Sequence, residues 1–407
     1  MKKRLLVIML ALAMLVTFMP SSAYAEGQNP VGYQDEDGYW YYLDNDGNVI
    51  KGWIYTRDEE GELAWYYSDP NTGRCVTGWR KLGGYWYFFG ESTGRMCDHG
   101  VTYVFDRSDF ANIKMYYFAP RNGSGKWGTL QYGWIKEPSM TEGATRELYI
   151  WYYADPDNDG QLTIGWKKIN GKWYYFKDTN TGLRAMMNYG GPHDINGHYY
   201  MFGGWNDGSL KTGWVEEKNR QNEDVWYYAD PNNDSRLAIG WKKISDTWYH
   251  FNESCEMTCN AFAKDSIGWL YLGSDGKPVS GKWIRDDGEW YYIKKNGYMA
   301  AKEWAKDSTG WMWMDAGGMI TKDKWIKYNG EWYYLKPDGY MAANEWADDS
   351  TGRCWLNADG AIAVSRIVLY DGDIYYVDEN GYMVCDRTVV IDGAEYYFSP
   401  DGKMIPG

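Results

Sequence analysis

The residues of this chain whose types and spacing could bind a ligand are the aromatic ones. The 407 residues include 25 Trp, 39 Tyr and 11 Phe. Aromatic faces attract cations, above all quaternary ammonium groups, which cannot donate hydrogen bonds, and each contact contributes ~0.5–2 kcal/mol. The same side chains also serve as packing, because buried anchors and exposed platforms use the same residue types. The aromatic residues therefore predict ligand cages, an aromatic core, or both.

Two acidic patterns favour a simpler interpretation. Asp155 to Gly160 matches the first half of a calcium-binding loop, but Trp166 stands where that loop needs a glutamate. Asp348-Asp349 and Glu59-Glu60 could form a glycosidase dyad only if their carboxyl groups faced each other across a cleft. No segment outside the repeats described below is long enough for a catalytic domain. We therefore predict solvated turns, no catalytic residues, no bound metal and no cofactor.

The cysteines indicate neither a zinc site nor a repeated disulfide. Their even number permits disulfides in an exported chain, but the four histidines do not supply zinc-ligand spacing. The cysteines also occupy different places in the repeats, whereas a disulfide encoded by the repeat would keep one register. We predict that the fold does not need them. The six residues are Cys75, Cys97, Cys255, Cys259, Cys354 and Cys385.

Charge and the N-terminal segment bear on where the chain acts. A formal net charge of −14 gives no overall attraction to nucleic acid, so nucleic-acid binding is not expected. Residues 1–25 have a basic start, an apolar run and the small-residue site Ala23-Tyr24-Ala25, the pattern of a secretory signal peptide. The apolar run is shorter than the ~20 residues that span a bilayer. We therefore predict secretion, with no membrane insertion of the mature chain.

Internal repeats dominate the remaining sequence. Residues 282–323 align without gaps onto 324–365, and tryptophans recur inside this block with a spacing of 21. Copies over 26–280 are irregular in spacing, and those over 281–407 are regular. Aromatic triplets favour strands, and Asn-Gly or Asp-Gly pairs such as Asn296-Gly297 follow them as predicted hairpin turns. Units of this length cannot bury a core alone. The sequence therefore predicts an all-β fold, an elongated solenoid of stacked β-hairpins that are each about 21 residues long.

The repeat resembles the choline-binding, or cell-wall-binding, repeats of Gram-positive surface proteins. The likeness rests on a Gly-Trp pair followed by Gly-x-Trp-Tyr-Tyr and, further on, Gly-x-Met. It appears at Gly165-Trp166 with Trp173 to Tyr175, and again from Trp325 to Met341. It covers nearly all of residues 26–407. Departures occur at His250, Arg353 and Ile374.

The resemblance implies choline cages between consecutive hairpins. In that family each cage is formed by the Gly-Trp tryptophan, aromatics of the triplet and a methionine. Strand alternation places Trp290 and Tyr292 on one face and Tyr291 on the other, where it would fill the core. The predicted ligand-binding residues are Trp79, Trp86, Trp166, Trp173, Trp241, Trp248, Trp283, Trp290, Tyr292, Met299, Trp304, Trp325, Trp332, Tyr334, Met341 and Trp346.

Three functions follow from these expectations. The first is a secreted, non-catalytic protein that binds choline on teichoic-acid-type wall polymers and is held noncovalently at a Gram-positive cell surface. The second is a polysaccharide binder, because similar aromatic repeats occur in glucan-binding segments. The third is a structural adhesin stalk. A cage and a flat platform use the same Trp and Tyr residues, so the sequence leaves the choice open.

Overall fold

The computed structural model describes residues 30–58, 60–106, 109–121, 125–138, 149–179, 184–219 and 221–405. The predicted signal peptide, residues 1–25, lies outside them. Throughout these ranges the chain consists of β-strands and turns, with one 3₁₀-helix at Pro156–Asn158. No helix of the described segments is long and apolar enough to cross a bilayer. The predicted all-β class is thus confirmed.

The chain divides into two compact units. The first unit comprises Met1–Thr212 and Pro231–Arg236, and the second comprises Gly213–Asp230 and Leu237–Gly407. The strands of the first unit are β1 Val31–Gln34, β2 Trp40–Leu43, β3 Gly52–Arg57, β4 Leu63–Ser68, β5 Gly78–Leu82, β6 Tyr85–Phe89, β7 Gly100–Asp106, β8 Asp109–Phe118, β9 Gly133–Pro138, β10 Tyr149–Asp155, β11 Gln161–Leu162, β12 Gly165–Ile169, β13 Lys172–Phe176, β14 Pro192–Ile195 and β15 His198–Met201.

The second unit continues the same pattern of strands. It begins with β16 Gly213–Lys218 and β17 Asp224–Asp230, and the short β18 Arg236–Leu237 has one residue in each unit. The remaining strands are β19 Gly240–Ile244, β20 Thr247–Phe251, β21 Ala261–Lys264, β22 Trp269–Leu272, β23 Lys282–Asp286, β24 Glu289–Ile293, β25 Glu303–Lys306, β26 Trp311–Met314, β27 Lys324–Tyr328, β28 Glu331–Leu335, β29 Glu345–Asp348, β30 Arg353–Leu356, β31 Arg366–Tyr370, β32 Asp373–Val377, β33 Arg387–Ile391, β34 Ala394–Phe398 and β35 Met404–Ile405.

Most hairpins pair a strand that carries the Gly-Trp tryptophan, or a tryptophan in the same register, with the aromatic triplet that follows it. In β27 and β28, for example, Trp325 lies opposite Tyr334 and Lys327 lies opposite Trp332. Directly paired residues project on the same face of an antiparallel pair. The Gly-Trp tryptophan and the first and third triplet residues therefore share one face, and the middle triplet residue, here Tyr333, projects from the other.

The turn that closes each hairpin is the Gly pair before the triplet, not the pair after it. Asn329 and Gly330 have φ of 50° and 94°, and positive φ at both central positions is what a tight two-residue hairpin turn requires. The prediction that the pair after the triplet forms this turn was wrong. At Asn296-Gly297 only the glycine has positive φ, 89°. That pair lies in the connection to the next hairpin.

Backbone hydrogen bonds link consecutive hairpins within each unit. The segment after one triplet folds back and donates an N–H group to the first triplet residue of the preceding hairpin. In the first unit, the N–H group of Met187 donates to the carbonyl oxygen of Trp151 at 2.9 Å. In the second, Met341 donates to Trp311 at 2.8 Å. Each hairpin thereby satisfies backbone groups that its neighbour exposes, which confirms the predicted stacking within each unit.

The interior is a series of small apolar clusters. One contains Ala300, Ala305 and Met314, with Trp283 and Tyr292 packed against it. The residue that follows many triplets is a deeply buried phenylalanine, and this group consists of Phe89, Phe118, Phe176, Phe202, Phe251 and Phe398. The core is therefore built mainly from thin layers of aromatic residues, with few aliphatic residues in each.

The calcium-like motif is a capped turn. The Asp155 side chain accepts a hydrogen bond from the N–H group of Asp157 at the start of the 3₁₀-helix. Its other oxygen lies 2.5 Å from the Lys167 ammonium group. Asp230 and Lys242 repeat this ion pair in the second unit. The carboxylate of Asp155 is thus satisfied by protein groups, as the turn interpretation predicts.

Candidate functional site

Gly-Trp tryptophans lie at the centres of aromatic clusters that join two consecutive hairpins. Trp134 is a representative example. Its ring centre lies 6.1 Å from Trp151 and 5.2 Å from Tyr153, both on its own hairpin. The next hairpin contributes Tyr174 at 4.9 Å and Phe176 at 5.9 Å. We use the name hub cluster for a central ring together with the middle residue of the next triplet that faces it.

The middle tyrosine of the following triplet recurs as the inter-hairpin wall. It lies 4.8–5.0 Å from the central tryptophan and meets it at a steep angle, 67–74°. This geometry recurs in both units. The pairs are Trp53 with Tyr87, Trp79 with Tyr116, Trp134 with Tyr174, Trp166 with Tyr200, and Trp214 with Tyr249.

The regular C-terminal block contains two four-ring versions of the hub cluster. Trp304 lies 5.2 Å from Trp313 and 5.2 Å from Tyr333. Tyr328 closes this group at 5.1 Å from Trp313. The second version consists of Trp346, Trp355, Tyr370 and Tyr375, with ring centres 5.1–5.3 Å apart along the chain of contacts.

The two other tryptophans of this register in the block, Trp283 and Trp325, have a different environment. Trp325 lies 5.1 Å from Tyr334 and packs beside Ala342, Ala347 and Leu356. Trp283 packs against the equivalent cluster around Met314. The triplets that follow them carry Met312 and Cys354 at the middle position instead of tyrosine, so the aromatic wall of the hub cluster is missing there. Closed clusters therefore alternate with core-like sites in this block.

Several predicted site residues lie at the edges of these clusters. Trp86 lies 6.3 Å from Trp79 at the rim of the cluster with Tyr116. Trp241 contacts His250 at 5.1 Å, and its indole N–H donates to the carbonyl oxygen of Lys264. Four first-triplet tryptophans present their rings to solvent, with exposed fractions of 43–51%: Trp173, Trp248, Trp290 and Trp332.

The predicted methionines lie against glycines of the connecting turns. A Cβ atom at Gly318 would fall 2.5 Å from Met299 Cε, and one at Gly360 would fall 2.3 Å from Met341 Sδ. A Cβ atom at either glycine would require the methionine to move. The methionines therefore fill grooves beside the backbone. Tyr334 donates its hydroxyl hydrogen bond to Asp323 at 2.6 Å.

The middle tyrosines are the residues that sequence reasoning missed. The sequence places Tyr291 in the core without saying what it contacts, and in the structure its ring lies 4.9 Å from Phe262 of the preceding hairpin. One signal in the sequence points to the role of this position. It alternates in the C-terminal block between Tyr (Tyr291, Tyr333 and Tyr375) and a non-aromatic residue (Met312 and Cys354).

The walls of the clusters are uncharged at neutral pH. Burial raises the pKa of Tyr174 and of Tyr333 above the ordinary value of 10.0, and it raises the pKa of Tyr87 to about 12. The phenols therefore stay protonated, and these tyrosines give the clusters no formal negative charge.

Two family models match segments of the chain. A choline-binding repeat matches residues 319–362. A putative cell wall binding repeat matches residues 31–49, 77–96, 164–180, 239–254 and 281–299. Both matches include tryptophans of the hairpins described above, and they bear out the resemblance noted in the sequence.

Solved structures from Streptococcus pneumoniae are also similar. The choline-binding domain of CbpL is 32% identical, and the match covers 48% of this chain and 98% of that one with a TM-score of 0.36. CbpJ is 25% identical, with 82% of this chain and 100% of that one covered and a TM-score of 0.30.

A curated relative comes from a longer protein. Glucosyltransferase-S of Streptococcus mutans is 25% identical over 311 residues, which are 65% of this chain and 20% of the relative. The chain thus spans about a fifth of that relative's length.

Proposed function

Because the chain belongs to the choline-binding, or cell-wall-binding, repeat family, we propose that it is a non-catalytic protein that binds choline groups on teichoic-acid-type wall polymers. The proposal assigns binding to the hub clusters. It also includes secretion and noncovalent retention at a Gram-positive cell surface, since the chain would reach the wall by export and stay there through its repeats.

The observation that carries the proposal is the four-ring group around Trp304. Trp313 and Tyr333 meet Trp304 at 74° and 67°. Rings that meet steeply leave a corner bounded by faces in different directions. A trimethylammonium group has no hydrogen to donate and a positive charge spread over its methyl groups, so it is best held by several faces at once. A hub cluster supplies such faces without a polar partner.

Polyvalency makes weak single sites sufficient. Each cation–π contact contributes ~0.5–2 kcal/mol, so one small cage gives modest affinity. Hub clusters recur in both units, and a polymer that bears many choline groups can engage several of them. Linked sites bind such a polymer far more tightly than a single choline molecule. Retention on a wall then needs no covalent anchor.

Polysaccharide binding is the alternative, and one observation favours it. The similarity to a glucosyltransferase extends over 311 residues, and Trp290 and Trp332 present single exposed rings of the kind that stack on sugar faces. Under this alternative the ligand would lie on those outer rings and not between hairpins.

The deciding experiment is retention of the full chain on a tertiary-amine resin. Elution with free choline, and not with soluble glucan, supports the proposal. Retention that resists choline and yields to glucan supports the alternative, and no affinity for either ligand would leave the structural stalk.

Two double variants locate the site. Tyr333→Leu with Tyr375→Leu opens both four-ring clusters, whereas Trp290→Ala with Trp332→Ala removes two outer rings. The first should weaken choline binding and the second should not. The opposite ranking would contradict the assignment to hub clusters.

A further inference from the structure

A cationic side chain recurs at the rim of several hub clusters. It stands two residues after the central ring and directly across the hairpin from the first triplet tryptophan. Lys306, opposite Trp311, is a representative example. In each such pair the ammonium nitrogen lies 5.4–5.9 Å from the tryptophan ring centre. The pairs beside closed clusters are Lys81 with Trp86, Lys136 with Trp151, Lys264 with Trp269, and Lys306 with Trp311.

These lysines lie on the face that carries the central ring. Residues two apart on a strand share a face, so Lys306 projects on the same side as Trp304. The side chains of Lys81, Lys136, Lys264 and Lys306 are exposed. A fixed positive charge beside a cage for cations repels free choline. Repulsion between unit charges about 6 Å apart at a surface lowers the binding constant by roughly threefold to tenfold. The same charge attracts a ligand that carries an anion next to its ammonium group.

Two hub clusters carry the opposite charge at this position. Asp348 stands two residues after Trp346 and forms an ion pair with Arg353 at 2.9 Å. Glu216 stands two residues after Trp214 and pairs with Trp226 across the hairpin. The rings match the other clusters, since Trp226 lies 6.2 Å and Tyr249 lies 4.9 Å from Trp214. The chain thus contains two versions of one aromatic site that differ in the sign of the rim charge.

We propose that the residue two positions after the central ring sets the ligand preference of each cluster. Where it is lysine, the site prefers choline esterified to phosphate, because the ammonium group of the lysine pairs with the phosphate while the rings hold the trimethylammonium group. Where it is Glu216, the site prefers free choline. This inference rests on the proposed function, since it requires that hub clusters hold the choline group.

The test resolves the two sites in the full chain. The protein is labelled with 5-fluorotryptophan, and the fluorine resonances of Trp311 and Trp226 are assigned with Trp311→Phe and Trp226→Phe. Choline and phosphocholine are then titrated separately. In the wild type we expect phosphocholine to bind about threefold to tenfold more tightly than choline at Trp311, and more weakly than choline at Trp226. High salt should shrink both preferences, because exposed charges are screened.

Variants separate a charge effect from a packing effect. Lys306→Gln should weaken the binding of phosphocholine at Trp311 and leave the binding of choline there equal or tighter. The affinities at Trp226 should not change. Glu216→Lys should invert the preference at Trp226. Lys295→Gln, an exposed lysine in a connecting turn, is the matched control and should change neither site.

The outcomes distinguish this inference from the proposed function. If neither ligand shifts any tryptophan resonance, the proposed function fails. If both ligands bind and the preference is the same at Trp311 and Trp226, or if Lys306→Gln weakens both ligands equally, only the inference on the rim charge is overturned.

Discussion

The ring of Tyr333 lies 5.2 Å from that of Trp304 in the preceding hairpin, at an angle of 67°. Its neighbour Tyr334 projects from the other face and lies 5.1 Å from Trp325 in its own hairpin. Two adjacent tyrosines therefore have different roles. One closes a cluster between hairpins, and the other packs beside the core.

The two tyrosines predict different responses to choline. Tyr333→Leu should remove one wall of the Trp304 cluster and lower the number of choline sites, measured by calorimetric titration, by one. Tyr334→Leu should leave that number unchanged, because its ring faces the core-like site at Trp325. Equal losses in the two variants would contradict the assignment.

The alanine variants of Trp304 and Trp283 provide a second matched comparison. Each substitution to alanine should lower the free energy of unfolding by about 3–5 kcal/mol, the usual cost of deleting a packed aromatic side chain. A ligand stabilises the state that binds it, so choline should raise the melting temperature of Trp304→Ala less than that of the wild type. Trp283→Ala should keep the full shift, and a diminished shift there would place Trp283 in a cage. Binding to a polyvalent wall should change little in either variant.

Met312→Tyr should create a site. The substitution places a tyrosine at the middle triplet position after Trp283, where Tyr333 and Tyr375 stand in their own hairpins. The side chain of Met312 is buried and tyrosine is larger, so the exchange should lower the free energy of unfolding by about 1–3 kcal/mol. Calorimetry should then detect one additional choline site. An unchanged number of sites in a folded variant would show that the middle tyrosine does not decide closure.

Tyrosine hydroxyl groups link hairpins to carboxylates in the second unit. Tyr340 donates to Asp307 at 2.8 Å, and Tyr298 and Tyr382 repeat this bond to Asp265 and Asp349. Tyr340→Phe should lower the free energy of unfolding by about 1 kcal/mol, the typical net contribution of a hydrogen bond. Denaturant unfolding at pH 7 measures this loss, and an unchanged midpoint would contradict it.

The same carboxylates predict a loss of stability in acid. Desolvation raises the pKa of Asp307, but the hydrogen bonds from Gly310 and Tyr340 outweigh it, so the pKa lies below the ordinary value of 3.8. A depressed pKa in the folded state contributes stability above the unfolded pKa, and that stability disappears as the pH falls through the folded pKa. The denaturant concentration at the unfolding midpoint should therefore decrease as the pH is lowered below about 4. This decrease should be smaller in Tyr340→Phe.

The cysteines should be dispensable and unreactive in the folded protein. All six are free thiols. Burial raises the pKa of Cys255 to about 11 and that of Cys354 to about 12, and the thiolate is the reactive form. Adding a reductant should leave the melting temperature unchanged, and iodoacetamide should label both residues only after denaturation. Mass mapping that found fixed bridges, with unfolding on reduction, would contradict this.

The local structure of each hairpin was accessible from the sequence. A triplet such as Trp332-Tyr333-Tyr334 favours a strand, and the Asn-Gly and Asp-Gly pairs on either side of it favour turns. Alternation also predicts that Trp290 and Tyr292 share a face. These features depend on residues close in the chain, so composition and spacing were sufficient to predict them.

The assignment of turns was beyond the sequence. Both Asn329-Gly330 and Asp338-Gly339 have the residues of a tight hairpin turn, and propensity alone does not rank them. In the structure Asn329 has positive φ, whereas only the glycine does at the second pair. The stacking of hairpins decides between them, because the second pair must connect to the next hairpin and return an N–H group to the preceding one.

The composition of the candidate site was also decided by the tertiary structure. Repeated aromatic residues predicted clusters, yet the sequence did not reveal that Tyr333 faces Trp304 while Tyr334 faces Trp325. Strand alternation separates the two tyrosines but does not say what lies beyond each face. That depends on which hairpin stacks there and in what register, a relationship between residues far apart in the chain, which only the packed structure establishes.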